Sequence, residues 1–302
     1  MASDIAVLLP LHEEARVRER CAALIVVMLS IVVATPARAQ TRPSQPPTPS
    51  EDRPVVEART TEREHFQIKV GPSYDEGDFG TSQKTRTFFF PFTLRYLGEQ
   101  WDLGVTTSFV RLDASGNVVI VDGQPQATRG AGAAREVNSG FGDMILKGRY
   151  YLVDDPGPTS WVPSLAPFLK LKLPTADEHK GLGTGEVDWG FGVEWDKSFG
   201  PFFVYGDVSY TFMGDPPGQN FHDRPGASIG AGYRMTPAIT VSALLDWRRA
   251  IARGNDPLEL NGMVTFKVSR TVSVTPNVFV GLTNGSPDWG AGIELSWKFG
   301  RW

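Results

Sequence analysis

Glu186-Val187-Asp188-Trp189-Gly190-Phe191-Gly192-Val193-Glu194-Trp195-Asp196 alternates, residue by residue, between acidic or glycine positions and large apolar ones. Successive side chains of an extended strand point to opposite faces, so this stretch has two incompatible surfaces. Val187, Trp189, Phe191, Val193 and Trp195 make a face too aromatic for water, and Glu186, Asp188, Glu194 and Asp196 make one too charged for a protein core. A transmembrane β-barrel asks for both at once, because lipid-facing and lumen-facing residues alternate along tilted strands of about 9 to 11 residues.

Working outward, about twelve segments of the same period follow one another from His65 to the C-terminus. Their apolar faces include Phe66, Ile68 and Val70; Phe88 to Tyr96 in steps of two; Trp101, Leu103, Val105 and Phe109; Leu165, Leu169, Leu171 and Leu173; and Ile293, Leu295, Trp297 and Phe299. Asp113 to Ser139 reads as a long polar connection between the third and fourth segments. Connections alternate long and short, as they do in outer-membrane barrels with an even strand number and both termini on the periplasmic side. Aromatic residues gather at both segment ends in two girdles: Tyr96, Trp101, Trp195, Phe202, Tyr233, Trp297 and Phe299 at one, and Phe88, Phe109, Trp189, Tyr210, Phe212, Trp247 and Trp289 at the other. The expected fold is therefore all-β, a transmembrane antiparallel up-and-down barrel over residues 64–302.

Two other regions precede it. Arg16, Arg18 and Arg20, the apolar run Cys21 to Val33 and Ala37-Arg38-Ala39 together read as an export signal over residues 1–39, cleaved after Ala39. The only cysteine leaves with that signal, so the exported chain has no disulfide. Residues 40–63, rich in Pro, Ser and charge, read as a periplasmic linker unable to build a core. A formal charge of −4 gives no basic footprint for nucleic acid. The expected partners are outer-membrane lipid, a small solute and the general barrel-assembly machinery, in the outer membrane of a Gram-negative bacterium.

Gly140-Phe141-Gly142-Asp143 with Leu146 and Tyr150-Tyr151, then Leu171-Lys172-Leu173-Pro174-Thr175, then Gly181-Leu182-Gly183-Thr184-Gly185, resemble the family labelled putative meta-pathway of phenol degradation. The resemblance implies an outer-membrane barrel passing small aromatic or hydrophobic solutes. One departure is the C-terminus, where Phe299 holds the closing apolar register and Trp302 falls out of phase.

Chemistry-bearing motifs are sparse. Gly181 to Gly185 lacks the helix and Lys of a phosphate loop and reads as a glycine turn. Asp177-Glu178-His179 and His222-Asp223 have no metal-ligand spacing, and no catalytic residue or cofactor is expected. A barrel-borne lipid hydrolase needs a strand-borne His beside a Ser, whereas His65, His179 and His222 lie at strand starts or in loops. The candidate site is instead the lumen wall. Lys147, Arg149, Lys170 and Lys172 form a cationic strip, and Glu186, Asp188, Glu194, Asp196 and Asp207 an anionic one. Such strips either set a field across a pore that passes solutes by passive diffusion, or pair with each other and stiffen a plugged structural or binding barrel. The hairpin order brings Lys172 near Asp188. The face assignment also predicts that Val193→Arg damages insertion into lipid, while Gly192→Ser on the inner face is mild.

Overall fold

The computed structural model describes residues 65–115, 117–128, 134–252 and 254–300. The export signal, the linker and Trp302 lie outside the described residues.

Among the described residues sixteen strand segments follow in chain order: β1 (Phe66–Val70), β2 (Ser73–Gly77), β3 (Thr85–Leu97), β4 (Trp101–Ser115), β5 (Val118–Val121), β6 (Gln124–Ala127), β7 (Arg135–Phe141), β8 (Met144–Tyr150), β9 (Ser164–Leu173), β10 (Asp188–Phe199), β11 (Phe202–Phe212), β12 (Arg224–Thr236), β13 (Ile239–Arg248), β14 (Leu258–Lys267), β15 (Val272–Gly281) and β16 (Trp289–Phe299). Fourteen of them belong to one antiparallel sheet. β1 with β2, and β7 with β8, are each one wall strand with a break, so the sheet has twelve strands. It closes where β16 pairs with both β1 and β2. The fold is thus a closed twelve-stranded barrel, and closure removes the exposed edges that an open sheet would present.

Both breaks have local causes. At the first, Pro72 has no N–H to give the ladder, and Gly71 N reaches Pro91 O at only 3.3 Å. At the second, the register between β4 and its partner shifts by one, from Phe109↔Phe141 to Thr106↔Ile145. Thr107 and Ser108 therefore face Gly142, Asp143 and Met144, which is a β-bulge. A Cβ on Gly142 would meet Ser108 Oγ, so a larger residue here would have to turn that hydroxyl aside.

The outer surface carries the apolar belt expected from the alternation. Leu169 on β9 and Ile229 on β12 are 66% and 58% exposed, which is untenable in water and ordinary in lipid. Stacked pairs such as Trp189–Phe212 and Trp297–Phe299 stand at opposite ends of the strands, and Phe299 packs on Phe66 across the closing seam. The described residues of the connections β2 to β3, β4 to β7, β9 to β10, β11 to β12, β13 to β14 and β15 to β16 lie at one end. The other end has 98–100, 200–201, 237–238 and 268–271, with 151–163 as its one long member. That member is held by Asp155, which pairs with Lys197 and accepts Ser198 N.

Val193 stands on the outer face between Pro167 and Val208. Val193→Arg should cost about 2 to 4 kcal/mol of folding free energy in lipid. A urea titration of folding into vesicles checks this, and a midpoint unchanged from wild type would contradict the face assignment.

The reading of 113–139 as a polar connection needs correction. β4 continues to Ser115, β7 begins at Arg135, and between them β5 and β6 form a separate hairpin. Its turn is Asp122-Gly123, with φ of 53° and 84°, the left-handed pair that a two-residue type I′ turn requires. Val118, Ile120 and Val121 are buried.

Candidate functional site: the barrel lumen

The hairpin β5–β6 lies across the long-loop end of the lumen. Val118 and Ile120 pack with Val110, Leu112 and Ala114 of β4 and with Leu182 of the 174–187 loop. Val121 packs against Met213, Phe221, Ile251 and Ala252 from two further loops. The hairpin is therefore anchored to opposite parts of the rim by apolar burial. Ile120 N donates to Gly181 O at 2.9 Å, so the glycine turn serves as a backbone support for the hairpin.

At its tip the hairpin meets the charged wall. Asp122 Oδ2 accepts from Lys170 Nζ at 2.9 Å and lies 3.5 Å from Arg224 Nη1. Gln124 Nε2 donates to both carboxylate oxygens of Glu259 at 3.2 Å. Burial by itself raises the Asp122 pKa, but Lys170 and Arg224 more than offset it, and the carboxyl is held below the ordinary carboxylate range.

The predicted lumen residues fall into separate groups. Lys147 and Arg149 both reach Glu194, at 2.5 and 2.9 Å. Lys172 is fully buried between Asp188 at 2.6 Å and Asp143 at 3.3 Å, and donates to Thr184 Oγ1 at 2.5 Å. Lys170 serves the hairpin tip. Asp207 accepts from Ser228 Oγ at 2.5 Å and lies 3.7 Å from Arg248. Asp196 is buried on β10, beside Ser164 and Tyr205. Glu186 stands apart, because β10 starts at Asp188 and Glu186 belongs to the loop, where it takes no ion pair among the described residues. The two strips are thus interleaved as paired charges rather than opposed.

Several partners escape a reading of β8 to β11 alone. Asp102 binds Arg95 at 2.5 Å, Arg149 at 3.4 Å and the Tyr151 hydroxyl at 2.6 Å. Arg95 also donates to Gln67, which donates to Ser296, so one polar chain follows the inner wall from β16 to β8. Arg224, Asp246 and Arg248 complete the far side. Their signal was available, since each occupies an inward position of its strand. These last three, with Lys147, Lys170, Glu194, Asp207 and the hairpin's Asp122, line a cavity of about 280 Å³ below the hairpin tip.

Inward glycines have a specific task. A Cβ on Gly192 would stand 2.5 Å from the ring of Phe168, one on Gly232 2.2 Å from Phe203, and one on Gly290 2.2 Å from Phe279. Inward aromatics of neighbouring strands thus lie over glycines, an arrangement that fills the wall without buckling it. The mild effect expected for Gly192→Ser is therefore corrected: Ser should cost about 1 to 3 kcal/mol through overpacking. A Cβ there also stands 2.5 Å from the Val208 carbonyl oxygen, so Phe168→Leu in the same chain should recover only part of the loss in a thermal melt; no recovery would mean the ring is not a cause.

The two loop motifs are structural. Asp177 caps the short turn Glu178–Lys180 by accepting His179 N, and Asp223 accepts the Tyr210 hydroxyl at 3.0 Å. Among the described residues no cluster of His, Cys, Asp or Glu is placed to hold a metal ion.

Solved structures of similar fold are outer-membrane barrels. An outer-membrane channel from Pseudomonas putida F1 is 13% identical, covering 80% of this chain and 97% of that one, with a TM-score of 0.58. The KdgM porin is 7% identical over 77% of this chain and 99% of its own, at 0.47, and the CymD monoaromatic hydrocarbon channel is 11% identical over 78% and 89%, at 0.44. Residues 68–299, which span every wall strand but the first two residues of β1, match the family described as "Putative MetA-pathway of phenol degradation", and the chain belongs to that family.

Proposed function

We propose that this barrel carries small, largely apolar solutes, aromatic ones among them, across the outer membrane by passive diffusion. The observation that carries this reading is the lumen below the hairpin: it holds a cavity of about 280 Å³ whose charges neutralise one another in pairs. A paired wall offers no net field to an ion, while a neutral solute has little hydration to lose. Entry from the long-loop end requires the hairpin β5–β6 to move, and Lys147, Lys170, Glu194 and Asp207 line the path beneath it. Export by the signal cleaved after Ala39, insertion by the barrel-assembly machinery and residence in the outer membrane belong to the same proposal.

The decisive experiment is current through the refolded protein in a planar bilayer, with and without an aromatic solute, beside stopped-flow uptake into outer-membrane vesicles. Solute-dependent block of the current together with faster uptake than in vesicles lacking the protein is the expected result. Uptake equal to the protein-free rate would leave a sealed structural or binding barrel.

A further inference from the structure

The hairpin tip does not merely close the lumen; it divides it. On one side lies the charged cavity described above. On the other, a second cavity of about 150 Å³ sits between the hairpin and the wall formed by β3, β4 and β8. Asp122 and Ile145 border both. The walls of the second cavity are of a different kind: Phe89, Pro91, Ile120, Ile145 and Leu182 supply apolar surface. Gly123 rests directly on the Phe89 ring, since a Cβ there would approach it to 2.6 Å, so the hairpin and the aromatic floor are fitted together.

Two polar atoms of this compartment remain open. Ser108 Oγ makes no hydrogen bond to another described residue, although its backbone carbonyl accepts Gly142 N. Asp122 uses Oδ2 for both cations and leaves Oδ1 without a partner among the described residues. Asp143, also on the wall, is engaged by Lys172 and by Ala176 N. Thr106, the other hydroxyl on the wall, is engaged by Thr93 at 2.8 Å, so the compartment combines an apolar enclosure, one uncommitted hydroxyl and one free carboxylate oxygen.

Resting on the reading of the protein as a barrel for apolar solutes, we infer that this compartment is a binding site for one neutral aromatic ring bearing a hydrogen-bond donor. Size sets the first limit. A protein cavity of about 150 Å³ lined by Leu, Ile and Phe holds one benzene, so a single ring fits and two fused rings do not. Chemistry sets the second. A phenolic O–H can donate to Asp122 Oδ1 and accept from Ser108, whereas an aromatic carboxylate would place its charge against Asp122 and Asp143. A ring without a donor leaves both polar atoms unsatisfied, which a desolvated site penalises strongly.

Fluorine NMR titration of the refolded full-length barrel tests the site, with 4-fluorophenol, fluorobenzene, 4-fluorobenzoate and 6-fluoro-2-naphthol as probes. Saturable binding of 4-fluorophenol is expected, at least about tenfold tighter than that of the other three. Ser108→Ala should weaken it by roughly three- to tenfold, and Ile145→Trp, which fills the space, should abolish it. Should Ile145→Trp fail to fold, as judged by heat-modifiable migration, the ligand series and Ser108→Ala still decide. Equal binding of the naphthol or the benzoate, or 4-fluorophenol binding unchanged in both variants, would overturn the inference. Vesicle uptake separates this from the broader reading: uptake without saturable binding removes the site and leaves the channel, while saturable binding without uptake keeps the site and removes the channel.

Discussion

Lys172→Ala should lower the stability of the barrel by about 3 to 5 kcal/mol, because removing one member of a buried ion pair strands the others in a low-dielectric site. Lys172 is wholly inaccessible and sits between two carboxylates. Each is already committed elsewhere: Asp188 accepts Gly214 N at 2.9 Å and Asp143 accepts Ala176 N at 3.1 Å. One ammonium therefore ties the β7–β8 bulge, the 174–187 loop and the 213–223 loop into a single node. Those are the loops on which the hairpin rests, so the loss should appear in two ways. The urea midpoint for folding in vesicles should fall, and protease should cut the 174–187 loop faster. A wild-type midpoint together with wild-type cleavage would show that the node carries no stability.

This node also resolves a question the sequence poses. Reversing Lys170 and Lys172 together would not separate a pore from a filled barrel. The structure gives them different duties. Lys172 is a buried tie, and any change there reports on folding first. Lys170 contacts the hairpin tip and reports on the lumen.

The wall strands were legible because lipid on one side and a polar interior on the other impose alternation residue by residue. That constraint reaches every wall strand, and it placed Lys172 beside Asp188 through the register of one hairpin. It does not reach the β5–β6 hairpin, which touches no lipid. Val118 to Val121 is an unalternated run of four, too short for a wall strand, and its burial depends on Leu182, Phe221 and Ile251 from distant loops. Asp122-Gly123 was the local sign of a hairpin, but nothing adjacent in sequence shows that it folds inward. Glu186 misled for the opposite reason: it continues the alternation past the point where the strand begins. The glycines show a third limit, since period alone marks Gly192 as inward yet cannot show that Phe168 occupies the space over it.

The largest functional effect is expected from the hairpin tip. Asp122→Ala removes the carboxylate that Lys170 and Arg224 share, and the interaction is partly open to the cavity, so its loss is worth about 1 to 3 kcal/mol rather than the full cost of a sealed pair. If that energy favours the docked hairpin alone, the undocked population rises by about five- to 150-fold. Apolar packing of Val118, Ile120 and Val121 still holds the hairpin, so openings should lengthen or multiply without the barrel unfolding. The substitution also leaves Lys170, Arg224 and Arg248 facing the cavity with one acid fewer, which should move reversal potentials toward anion preference. Replacing residues 117–128 by a short Gly-Ser linker should give the larger conductance of a permanently undocked hairpin. The Asp122 contact is not a switch near neutral pH. A carboxylate whose folded pKa is depressed contributes fully above its unfolded value near about 4 and loses that contribution only as pH falls through the lower folded value. Between about pH 8 and about pH 5 the Asp122 carboxylate therefore keeps its charge and its hold on Lys170 and Arg224. Single-channel recordings of wild type, Asp122→Ala and the linker variant test the whole chain of reasoning: conductance and selectivity indistinguishable among the three would mean that the hairpin does not govern the path through the barrel.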